Sequence, residues 1–143
     1  MKLQDSNKNL TKHKKLRDQI ILSIVYMTIW GISVSVYWYF TDNSDAMGYS
    51  LIFLWIIIPC TTFLASIIIG KNNYFGRYKW ISVVVLGIMY MLIEFTTFST
   101  SNMRSFDKIN LPRFDMILIG GLISFLGIFT GTVIRKKKRN KIS

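Results

Sequence analysis

At 143 residues the chain suits one compact unit, and a content of 51% hydrophobic and 15% aromatic residues is high for a soluble domain. Its charges sit in short blocks between long uncharged runs, and the formal net charge of +11 follows from where those blocks lie, with no need for a nucleic-acid partner. A soluble fold built from such runs would have no polar face, so the expected fold class is an all-α integral membrane protein, with four transmembrane helices in a compact bundle and both termini cytoplasmic.

The chain opens with residues 1–19, a tail with six Lys or Arg that includes the run "KHKKLR". The first span, 20–40, has no charged residue and ends on Tyr37, Trp38, Tyr39 and Phe40, rings suited to headgroup depth. The lead is long, the apolar run has full spanning length and no small-x-small site follows, so this segment reads as a retained signal anchor. Thr28, Gly31 and Ser35 form a small-residue stripe along it. The loop Thr41–Asp45 holds two Asp and no base.

The second span, 46–70, is interrupted by Pro59, which has no backbone donor and clashes with the carbonyl of Trp55. A kink is expected there. Thr61 and Thr62, next to Cys60, read either as hydroxyls that satisfy the backbone groups so freed or as a polar notch on a substrate path. After three basic residues in the loop 71–79, ringed by Tyr74, Phe75, Tyr78 and Trp80, the third span covers 80–99 and contains Glu94.

Glu94 is the one charge inside any span. Fourteen residues beyond Trp80 it lies about 21 Å along a helix, in the outer half of a core about 30 Å thick. An ionised acid near a helix centre costs at least about 2.5–3.5 kcal/mol on insertion scales, which favours a neutral acid donating a hydrogen bond to Tyr90 or to another helix. The α-helical wheel also puts Met91, Thr97, Phe98 and Gly87 around it, a face directed into the bundle. Tyr90 and Thr97 are therefore its expected supports. Glu94 reads as a structural clamp or as a proton-coupling or cation-binding acid, and Arg104 and Arg113 of the loop 100–115 are placed to fold back over it.

That loop mixes charges with Met103, Phe106, Ile109, Leu111 and Phe114, as an interfacial segment, a lid or a partner surface would, and Pro112 limits any helix to the part before it. The fourth span, 116–134, aligns Gly120, Ser124, Gly127 and Gly131 in a stripe that permits close helix approach. Internal packing is the favoured use of this stripe, with the Thr28 stripe as its counterpart; a dimer contact is the alternative. Residues 135–143 form a second basic tail with six Lys or Arg.

Fifteen basic residues thus fall on the side of the two termini and three on the other, which places both termini in the cytoplasm. The tails either set this topology or also dock on anionic lipid. Richness in Lys, Ile and Asn hints at a bacterial cell membrane as the location. His13 stands in a tail and Cys60 is the single cysteine, so no metal-ligand set, redox pair or catalytic constellation is visible and no cofactor is expected. The expected function is a non-enzymatic auxiliary or regulatory subunit packing against a larger membrane partner. The alternative is a small oligomeric transporter or channel that uses Glu94.

Overall fold

A computed structural model describes residues 2–40, 46–107 and 109–140; the acidic loop Thr41–Asp45, Lys108 and the extreme terminal residues lie outside the described residues. Four helical segments are long and apolar enough to cross a membrane. Helix α1 is Lys2–Phe40, helix α2 covers 46–72, helix α3 is Gly76–Phe106 and helix α4 is Asp115–Asn140.

Each predicted span falls inside one of these helices, and the helices run further. Both basic tails extend their neighbouring spans as helix, because Lys and Arg are good helix formers and neither Gln19–Ile20 nor Ile134–Arg135 contains a breaker. Helix α3 continues past its apolar run to Phe106 and stops where Asp107 turns left-handed, with φ 50°. Residues 109–113, including Pro112, are not helical. Between α2 and α3 the chain reverses through Asn73, Phe75 and Gly76, all with positive φ, and the Tyr74 amide closes back on the Ile69 carbonyl at 3.0 Å.

Helix α4 is the hub. Its small-residue stripe is wholly buried, as the internal-packing expectation requires. A Cβ added to Gly127 would come within 2.5 Å of Ser66 Cβ and 2.7 Å of the Phe63 carbonyl, and one on Gly131 would collide with the Ile67 carbonyl. The same stripe meets α3: a Cβ on Gly120 would lie 2.5 Å from Tyr90 Cβ and 3.1 Å from Gly87 Cα. Ser66 Oγ donates to Ser124 Oγ at 2.9 Å at the centre of the α2–α4 seam. Lipid supplies no hydrophobic drive between helices, so backbone approach and hydroxyl pairing of this kind hold the bundle.

The expected counterpart stripe on α1 is not used. Thr28 and Ser35 are exposed and donate to their own helix, to the Ile24 and Gly31 carbonyls, and a Cβ on Gly31 would meet nothing within 4 Å. Instead α1 binds through its opposite, aromatic face, because indole and phenol donors reach backbone acceptors that lipid cannot satisfy. Trp30 Nε1 donates to the Met89 carbonyl and Trp38 Nε1 to the Thr96 carbonyl, each at 3.1 Å, while Tyr26 pairs with Thr62 at 3.2 Å. Tyr37 and Tyr74, placed by the sequence at the interfaces, are buried, whereas Tyr39 and Tyr78 are exposed.

Candidate functional site

Two stretches of π-helix mark the end of the bundle opposite the basic tails. The first, Ser50–Ile57, immediately precedes Pro59; the second, Phe95–Ser99, immediately follows Glu94. Beside Pro59, where a kink is expected, the hydrogen-bond register changes. The Ile58 amide reaches back five residues to the Phe53 carbonyl. The next donor along the helix is Pro59, which has none. The Leu54 carbonyl thus loses both ordinary helical donors, those four and five residues ahead.

The Tyr90 hydroxyl takes their place, donating to the Leu54 carbonyl at 2.6 Å. Tyr90 is therefore committed to α2 and not to Glu94. Thr61 Oγ1 donates within α2, to the Ile57 and Ile58 carbonyls at 2.9 and 3.0 Å. Thr62, fully buried, is taken up by Tyr26. The two threonines of the expected notch thus serve the helix and its contact with α1, and neither lines the cavity described below.

Glu94 is 7% exposed. Its carboxyl is contacted by Ser99 Oγ, 3.3 Å from each oxygen. In α-helical geometry a residue five positions on lies about 140° around the helix; π-turns, which close from i to i+5, bring it onto the same side. Thr97 does not reach the carboxyl: its hydroxyl donates to the Ile93 carbonyl at 2.6 Å and lies 3.3 Å from the Glu94 carbonyl. Ser99 is thus the support that the α-helical wheel misses, and a Thr/Ser-rich run "TTFST" that begins two residues after the acid is the one signal in the sequence for it.

The register between helices also fixes which part of α4 faces the acid. Gly87 faces Ile117 and Gly121, and near the opposite end Lys79 Nζ donates to Thr132 Oγ1 at 3.2 Å. Antiparallel helices rising about 1.5 Å per residue then place Glu94 beside the first turn of α4, close to where its apolar run begins.

A cavity of about 410 Å3 opens beside it, lined by Ser50, Leu54 and Trp55 of α2, Tyr90, Glu94, Phe98 and Asn102 of α3, and Arg113, Met116 and Ile119 at the start of α4. Of the two arginines expected to fold over Glu94, Arg113 lines this cavity and Arg104 does not. Arg113 is held in a fork by Asp115, with Nη2 2.7 Å from Oδ2 and Nε 3.4 Å from Oδ1, which raises the basicity of an already strong base. Comparison with known protein families, with curated proteins and with solved structures finds no match.

Proposed function

We propose that the chain is a multi-pass cell-membrane protein with both termini cytoplasmic, and that it acts as a non-enzymatic auxiliary or regulatory subunit of a larger membrane partner. The observation that carries this reading is the unused face of α1. The helix is long and apolar enough to span, yet its small-residue stripe of Thr28, Gly31 and Ser35 is left out of its own bundle, where the stripe of α4 is buried. Small residues are costly to leave on lipid-facing surface in packing terms, since another helix gains most by approaching there.

The test is the particle extracted from native membranes in mild detergent. A stoichiometric larger membrane protein is expected, and a cysteine placed at Ser35 in a Cys60→Ser background should crosslink to it. Gly31→Leu should release that partner and leave the isolated protein's melting temperature unchanged, because nothing within the bundle is near that Cβ. A pure homo-oligomer would overturn the reading. It would put first the second one, a small oligomeric transporter with Glu94 as its coupling or cation-binding acid, which draws support from the cavity at Glu94.

The basic ends support the proposed orientation and a lipid contact. Grooves of about 350 and 300 Å3 flank α4 there, lined by Arg135, Lys136 and Arg139 on one side and by Lys71, Arg135, Lys138 and Arg139 on the other. Basic residues near an anionic surface each contribute about 1 kcal/mol. Replacing Arg135, Lys138 and Arg139 together by Gln should sharply reduce the phosphatidylglycerol that copurifies with the protein, as measured by lipid extraction and mass spectrometry.

A further inference from the structure

A carboxylate offers about four acceptor positions, and among the described residues Glu94 meets one hydroxyl, which has a single proton to give, at the long distance of 3.3 Å to either oxygen. A carboxyl this buried normally has a full set of hydrogen-bond partners or a paired charge. The unfilled acceptors open on the cavity that Glu94 lines, so the missing partner is a donor-rich group entering it.

The other walls restrict what carries that group. Arg113 lines the same cavity, and its bonds to Asp115 use Nε and Nη2, which leaves Nη1 to donate to an anion at the rim. Glu94 attracts an ammonium, and the free Nη1 of Arg113, whose charge Asp115 balances, offers a donor to an anionic group. A zwitterion with a short spacer satisfies both. The cavity reaches the level of the first turn of α4, where the apolar run starts, a position from which a lipid headgroup could enter it. It also opens sideways: Trp55 of α2 is 63% and Ile119 of α4 37% exposed, so the gap between these helices faces acyl chains.

We propose that this cavity binds the headgroup of a phospholipid ending in a primary ammonium, with Glu94 accepting from the ammonium, Arg113 holding the phosphate, and Trp55, Met116 and Ile119 flanking the chains. Its volume falls in the usual range for small-ligand sites. A primary ammonium is required over a quaternary one because the carboxylate lacks donors, and a trimethylated nitrogen has none to give. The site serves equally in a subunit or a transporter, and it uses the outer placement of this end only to name the leaflet.

The test is native mass spectrometry of the full chain in mild detergent, titrated with phosphatidylethanolamine, phosphatidylcholine and phosphatidylglycerol. Phosphatidylethanolamine should bind at least tenfold more tightly than the other two. Glu94→Gln, which keeps an acceptor but loses the charge, should remove most of that preference, whereas exposed Arg113→Gln should weaken the binding of all three lipids, since each carries the phosphate. Equal binding of the three lipids, a preference unchanged in Glu94→Gln, or an affinity unchanged in Arg113→Gln overturns the proposal. Two other results also overturn it: soluble phosphoethanolamine binding where the lipid does not, which would make the ligand a free zwitterion, and dodecylamine matching the lipid with Arg113→Gln silent, which would make it a simple cation. Binding in detergent does not depend on orientation. Labelling of Ser105→Cys in a Cys60→Ser background with an impermeant maleimide reads the orientation separately, so the two can fail independently.

Discussion

Gly127→Ala is expected to unseat α4 from α2, and Gly127→Leu to prevent the bundle from closing. The added Cβ would stand 2.5 Å from Ser66 Cβ and 2.7 Å from the Phe63 carbonyl, and one of the two is backbone that no rotamer change can clear. Overpacking a tight core costs about 1–3 kcal/mol, and occasionally more. Here the displacement also parts Ser66 from Ser124, whose 2.9 Å hydrogen bond lies on the same seam. The upper end of that range is therefore expected for Ala, with Leu beyond it. A neighbouring glycine supplies the control. A Cβ on Gly121 would meet nothing closer than Val83 Cγ1 at 3.8 Å, so Gly121→Ala should leave stability unchanged or raise it by up to about 1 kcal/mol through helix propensity. Thermal unfolding of both variants in the same detergent separates the cases. Equal melting temperatures would show that the stripe merely lies in the seam and does not set its spacing.

The same stripe shows how far the sequence can be read. The spacing of Gly120, Ser124, Gly127 and Gly131 identifies a buried face because small residues in lipid have few other uses, and four long apolar runs identify four helices able to span because the bilayer allows little else. A second stripe of similar spacing, Thr28–Gly31–Ser35, stays outside, since spacing says that a helix can approach and not that this bundle provides one. At the site, Glu94 stands out as the one charge in a span, but its surroundings depend on a hydrogen-bond register that a fixed wheel of 3.6 residues per turn does not contain. Two π-segments move Ser99 under the carboxyl and free Tyr90 for Leu54. The cavity is hidden for a further reason: its walls come from three helices and the end of a loop, and Arg113 reaches it only because α4 begins level with Glu94.

Tyr90→Phe is expected to destabilise the protein by about 1–3 kcal/mol, the cost of leaving a buried acceptor without a partner. The ring would still pack beside Gly120, so the loss is confined to the hydroxyl. The dependence on Pro59 makes this attribution testable. Pro59→Ala restores an amide that can close to Leu54 in the π register, or lets the segment relax toward ordinary α-helix, in which the Ile58 amide closes to Leu54. In either case the Leu54 carbonyl regains a donor from its own helix. Tyr90→Phe should then cost clearly less in a Pro59→Ala background than in the natural sequence. Residues sharing one acceptor couple by about 0.5–3 kcal/mol, so the difference is within reach of reversible unfolding in mixed micelles. If the two costs are equal, the Tyr90 hydroxyl is not standing in for the amide that proline lacks. If the double variant recovers most of the loss, the π-segment before Pro59 and the phenol of Tyr90 form one device, and the α2 wall of the Glu94 cavity is held in place by a residue of α3.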